Sequence, residues 1–175
     1  MRRFIDEVTQ YDTSVFSWCF RFSKKKLILF FSRFISRTGD GYLQLAIPAF
    51  LVGYGISRAD HFLQVLLIGL ALERIAYFAL KNSIKRDRPC YVINPVSAHV
   101  VPSDKFSFPS GHTSAAFLLA YVLSTFYPET TLWVYGWATA VGISRIMLGV
   151  HYPTDIAAGA VLGSSIGVAA LYLFS

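Results

Sequence analysis

Residues 62–89 read FLQVLLIGLALERIAYFALKNSIKRDRP. The first part, 62–80, is an apolar run whose only charges are Glu73 and Arg74. Its length is close to the ~20 residues an α-helix needs to cross a bilayer. At Lys81 the character changes: Lys81, Lys85, Arg86 and Arg88 follow within eight positions, and Pro89 closes the segment. A membrane-length apolar run that delivers cations to one face decides the class of this chain.

The same pattern recurs on both sides. Further apolar runs cover 42–56, 110–127, 132–149 and 154–174. The connectors 55–61 and 128–131 are very short, so neighbouring runs are antiparallel. Composition agrees: 54% of the 175 residues are hydrophobic and 15% charged, against ~25% charged in an ordinary soluble domain. The net charge of +6 does not point to nucleic acid, because the basic residues gather at the ends of apolar runs, where anionic headgroups and phosphates lie. The fold expected is all-α, a polytopic membrane helical bundle of five to six transmembrane helices with its active site at one membrane face. Gly159, Gly163 and Gly167 repeat every fourth residue and give a smooth stripe for close helix packing.

Residues 1–40 read differently from the transmembrane core 41–175. Asp6, Glu7, Gln10 and Asp12 break the apolar stretch that a cleavable signal peptide needs, so none is expected. Residues 27–36, preceded by Lys24, Lys25 and Lys26, read as an amphipathic helix at the interface, with a short extra span as the competing reading. Cys19 and Cys90 lack metal-ligand spacing, and sequence leaves their pairing open.

Three polar segments interrupt the apolar chain. They are Lys81 with Arg88-Pro89, then Pro109-Ser110-Gly111-His112, then Ser144-Arg145 with His151 and Asp155. Antiparallel connection puts the end of run 62–80, the start of 110–127, the end of 132–149 and the start of 154–174 on one side. The three segments therefore converge. If the helix of 62–80 continues, Lys81 and Arg88, seven apart, share a face and can hold one anion. Ser110 suits an N-cap whose free amides face phosphate oxygens, and Gly111 allows close backbone approach. Pro153 suits a first helical position. Asp155, four residues after His151, can accept from one imidazole nitrogen and aim the other at phosphorus. Singly, each segment has a simpler role: a snorkelling cationic belt, a plain helix cap, a surface His/Asp pair. Convergence on one face favours joint phosphate chemistry. Glu73 reads as a structural partner of Lys81 two turns on, and Gly39-Asp40-Gly41 as a turn.

With Lys-x6-Arg-Pro, Pro-Ser-Gly-His and Ser-Arg-x5-His-x3-Asp all present in order, the chain resembles the type 2 phosphatidic acid phosphatase superfamily. The resemblance spans about half the chain. It implies a metal-independent lipid phosphate or pyrophosphate phosphatase. His151 would be the nucleophile forming a phosphohistidine, Asp155 would orient it, and His112 would protonate the leaving group. Lys81, Arg88, Arg145, Ser110 and the Gly111 amide would cradle the phosphoryl oxygens. No metal or other cofactor is implied. The partners implied are the bilayer and a membrane lipid phosphate, such as undecaprenyl pyrophosphate, phosphatidylglycerophosphate, phosphatidate or lipid A phosphate. The resemblance also implies a bacterial inner (plasma) membrane with the site on the extracytoplasmic side, whereas a count of positive charges places the site in the cytoplasm. Two alternatives use the same residues: a lipid-to-lipid phosphotransferase, and a non-catalytic lipid phosphate carrier.

Overall fold

The computed structural model describes residues 2–93, 96–102 and 104–174. They form helices α1 (Arg2–Phe22), α2 (Lys26–Thr38), α3 (Tyr42–Gly53), α4 (Ala59–Ile84), α5 (Pro89–Val92), α6 (Gly111–Phe126), α7 (Thr131–Met147) and α8 (Pro153–Tyr172), with one 3-10 turn at Pro128–Thr130. No strand occurs among the described residues, and an isolated bridge pairs Asp87 with Phe106. The fold is an all-helical membrane bundle. Helices α3, α4, α6, α7 and α8 fall on the five apolar runs, each end within a few residues. Of the described helices, α4 and α8 are long and apolar enough to cross a membrane, and α3 is apolar but shorter.

Helix α6 is the hub. Its Leu118, Leu119 and Val122 are buried against Phe62, Val65 and Leu66 of α4 and Ala170 of α8. Its Ala116 and Ala120 meet Ala138 and Val141 of α7. The outward faces stay apolar: Leu67, Ile75 and Phe78 of α4 and Val161 and Val168 of α8 are exposed. A helix apolar on all sides suits lipid on one side and protein on the other.

The glycine stripe sets the α6–α8 distance. A methyl group at Gly159 would sit 2.6 Å from the Ser110 carbonyl oxygen, and one at Gly163 would overlap the carbonyl oxygen of Ser114. On α7, by contrast, Gly136 faces open space. Gly163→Ala is therefore expected to destabilise the protein by about 1–3 kcal/mol, the range of overpacked cores, while Gly136→Ala stays near wild type. Thermal unfolding in detergent checks the pair; equal stability of the two variants would contradict this packing account.

Helices α1 and α2 are tied to the core by specific bonds. Asp12 of α1 is buried; it accepts from the Thr154 amide at 3.0 Å and pairs with Arg86. Phe16 packs with Ile146 and Tyr152. On α2, Ser36 accepts from Arg145 at 2.6 Å and Thr38 from the Trp137 indole at 2.8 Å. The segment expected as an amphipathic helix at 27–36 lies within α2, which thereby supplies a neighbour to the site. Cys19 and Cys90 are free thiols.

Candidate active site

Lys81 lies in the last turn of α4 and is buried, its ammonium 2.8 Å from Asp104 Oδ1 and donating to the Tyr77 hydroxyl. The helix does not continue from there. Lys85 adopts a left-handed conformation (φ 51°), its amide closing on the Lys81 carbonyl, and α4 ends at Ile84. Lys81 and Arg88 therefore do not share a helix face, contrary to the sequence expectation. Arg88 stands in extended backbone as the N-cap of α5, with Pro89 at the first helical position; the residue before a proline is pushed out of the helical region. The turn still brings both cations together, because Asp104 Oδ1 accepts from Lys81 and, at 2.8 Å, from Arg88 Nη2. Asp104 Oδ2 accepts from Tyr77 at 2.8 Å. Burial opposes ionisation of Asp104, but hydrogen bonds from Lys81 and Tyr77, the Lys81 charge and the Arg88 bond prevail, lowering its pKa to about 2. This carboxylate occupies the donors that the sequence motif offers to a phosphoryl oxygen.

Arg88 is almost fully buried and reaches the α7–α8 connection: Nη1 donates to the Val150 carbonyl at 2.7 Å and lies 3.2 Å from His151 Nε2. A guanidinium only donates, so Nε2 is the accepting nitrogen and the imidazole proton is on Nδ1. The turn before it depends on Gly149, at φ 80°, a conformation glycine adopts without strain. His151 has a pKa well below the ordinary histidine value, first through burial and then through the charges of Arg88, Arg145 and Lys81.

Asp155 faces His151 Nδ1 at 3.6 Å, beyond hydrogen-bond range. Its firm bonds are elsewhere. Oδ2 accepts from the Tyr152 amide at 2.8 Å in the capping box of α8, and Oδ1 pairs with Arg86 at 3.0 Å. The expected direct His151–Asp155 bond is thus replaced by a near approach, because the helix cap and Arg86 hold the carboxylate.

Ser110 caps α6, its hydroxyl accepting from the Thr113 hydroxyl at 2.9 Å, and its amide bonds the Asp155 carbonyl at 3.1 Å. That bond joins the starts of α6 and α8. Gly111 fits where a methyl group would lie 2.8 Å from the Tyr77 ring. His112, in the first turn of α6, has Nε2 at 2.7 Å from Asp40 Oδ1, so the 39–41 turn also orients a histidine. Arg145 is buried in the last turn of α7; it donates to Ser36, and its Nε has no partner among the described residues.

Two cavities meet at the His112–Asp40 pair. One, of about 700 Å³, runs between α3, α4 and α6 past Leu45, Leu70 and Ala115. The other, of about 420 Å³, is lined by Arg33, Arg37, Arg145 and His99. Sequence reasoning did not single out Asp104, Tyr77, Asp12 or the His112 role of Asp40. Asp104 sits in a connector with no periodic signal, and Asp12 is one acid among several on an N-terminal helix. Glu73 is also placed differently: fully buried, it lies 3.6 Å from Arg74, since eight helical residues put Lys81 about 12 Å away along the axis.

A family model described as "PAP2 superfamily" matches residues 62–175. "Bacitracin transport permease protein BcrC" of Bacillus licheniformis is 43% identical over 87 residues, covering 47% of this chain and 37% of that protein. "Probable lipid phosphate phosphatase beta" of Arabidopsis thaliana is 34% identical over 130 residues, covering 58% and 61%. The chain thus spans less than two thirds of the length of either relative. Among solved structures, LpxE of Aquifex aeolicus superposes with a TM-score of 0.78 at 27% identity, covering 91% of this chain and 93% of that one.

Proposed function

The chain belongs to the PAP2 superfamily, and from that membership we propose that it is an integral-membrane phosphatase of lipid phosphates or diphosphates. One observation carries the reading: His151 Nε2, placed to accept from Arg88 Nη1 at 3.2 Å, faces a buried cluster of fixed cations. A neutral imidazole in such a place is a nucleophile aimed at an anion. The relative named a lipid phosphate phosphatase supports the substrate class.

In this mechanism a phosphoryl group enters between Lys81, Arg88 and Arg145. Its oxygens replace the Asp104 carboxylate on Lys81 and Arg88 and draw the Arg88 guanidinium off Nε2. The Ser110 hydroxyl and the Gly111 amide complete the cradle. His151 Nε2 attacks phosphorus, the P–O bond to the leaving group breaks, and His112 supplies a proton to the departing oxygen. Water then attacks the phosphohistidine, releases inorganic phosphate and restores the imidazole. Asp155 positions His151 through the α8 cap. Fixed cations aimed at the developing charge do the electrostatic work. The lipid chain reaches the site along the apolar α3–α4–α6 cavity, with the site on the extracytoplasmic side.

The test is phosphate release from a panel of lipid phosphates by purified protein in detergent. Activity is expected to persist in excess EDTA, since Lys81, Arg88 and Arg145 supply the charge. Loss in EDTA with rescue by Mg²⁺ or Zn²⁺ would contradict it. Orthovanadate is expected to inhibit by taking a trigonal-bipyramidal geometry on His151. Following labelled phosphate to water or to lipid separates hydrolysis from phosphotransfer.

A further inference from the structure

The cavity on the far side of His112 has a chemistry that the reaction at a single phosphoryl group does not use. Arg33 and Arg37 lie one turn apart on α2 and are both exposed. They line the cavity with Arg145, whose buried Nε is unpartnered. Arg33 spends one bond on the His99 carbonyl at 3.1 Å, and no ion pair engages Arg37 among the described residues. The opposing charge on this wall is Asp40, and its carboxylate is taken by His112. The His99 ring contributes no extra charge: its pKa is lowered by burial and by Arg33, and Nε2 is 3.0 Å from the Ser23 hydroxyl. Three guanidinium groups against one engaged carboxylate leave a net cationic pocket of about 420 Å³. A buried N–H without a partner marks an unmet donor, and guanidinium forks match phosphate oxygens.

Position then says which anion. Arg145 and His112 are shared between this cavity and the reaction centre, and Arg145 acts on the His151 charge. An anion here meets Arg145 and His112, the two residues that the reading above places on the reacting phosphoryl group and its leaving oxygen. Resting on the phosphatase reading above, we infer that Arg33, Arg37 and Arg145 form a subsite for the second phosphate of a lipid diphosphate. His151 Nε2 bonds to the terminal phosphorus, and the bond from that phosphorus to the bridging oxygen breaks. The bridging oxygen keeps the electron pair, takes the His112 proton and leaves as lipid monophosphate. Water cleaves the P–N bond, giving its hydroxyl to phosphorus and its proton back to His112, and orthophosphate leaves. The lipid monophosphate is held by Arg33 and Arg37 until it leaves.

The experiment uses the full chain and the double variant Arg33→Gln/Arg37→Gln, which leaves the reaction centre intact. Methylenediphosphonate and inorganic phosphate are the binding probes, read by calorimetry. The wild type is expected to bind the diphosphonate at least ~30-fold tighter than phosphate, and the variant to lose most of that gap, at roughly tenfold per guanidinium. In turnover, kcat/KM for farnesyl diphosphate is expected to fall roughly 30- to 100-fold in the variant, against less than ~3-fold for farnesyl phosphate. A wild type without the binding gap, or a variant that retains it, overturns the subsite. Equal kinetic losses on both substrates in phosphatidylglycerol micelles also overturn it, since the arginines would then grip neighbouring headgroups. A binding gap that collapses in the variant, with no turnover of either lipid by wild type, upholds the subsite and removes the phosphatase reading alone.

Discussion

His151→Ala is expected to abolish turnover, by on the order of 10⁴-fold or more, the scale of losing a nucleophile that works as one unit with its neighbours. The protein is expected to remain folded and to bind phosphate. Lys81, Arg88 and Arg145 do not depend on the imidazole for their place: Arg88 is held by the Val150 carbonyl and by Asp104, and Arg145 by Ser36. Truncating the buried ring costs stability, about 1–3 kcal/mol on the scale of buried-group losses, and thermal unfolding in detergent measures this separately from activity. The wild-type ring carries a second expected result. Burial, then Arg88, Arg145 and Lys81, hold its pKa well below the ordinary value. A depressed histidine is neutral above its folded pKa, so the nucleophile is retained as pH falls through the usual range near ~6.5. Its ring resonances should not titrate in the ordinary histidine range near ~6.5. Wild-type-like turnover by the variant would end the phosphohistidine mechanism, and titration in that range would overturn the electrostatic account of the site.

The second large effect is a contrast between substrates. With an alkyl lipid phosphate, His112→Ala is expected to slow phosphohistidine formation by ~10²–10⁴-fold, the usual contribution of a general acid. With a nitrophenyl phosphate the loss should be far smaller, because that oxygen departs without a proton. The geometry motivates the contrast. His112 lines both cavities, its Nε2 held at 2.7 Å by Asp40. Single-turnover kinetics isolate the step from hydrolysis of the intermediate. Equal losses on both substrates would recast His112 as a phosphate ligand. Asp40→Asn should follow the same pattern at smaller size, since Asp40 orients His112.

The helices were legible because lipid imposes a length and an apolar composition on anything that crosses it. Runs at 110–127 and 154–174 became α6 and α8 within two residues at each end. Their antiparallel order, forced by short connectors, was enough to gather Lys81, Ser110, Arg145 and His151 at one end of the bundle. Turns and caps were legible too: Ser110 and Pro153 stand where local backbone chemistry places them.

Other features were decided by groups far apart in sequence. Beyond the left-handed Lys85 that ends α4, Arg86 is held by Asp12 and Asp155, both distant in sequence. Nothing near Asp155 says that one of its oxygens goes to Arg86; with the other in the α8 cap, His151 is left at 3.6 Å. Asp104 reaches Lys81 and Arg88 from a connector without periodicity, and α2 supplies Ser36 to Arg145 across the bundle. By itself the sequence determined the helical membrane class, the order of the helices and the end of the bundle where the polar residues meet. Those follow from local hydropathy and chain connectivity. Tertiary structure alone decided which carboxylate answers which cation, because a buried charge takes whatever partner the packed fold brings within about 3 Å.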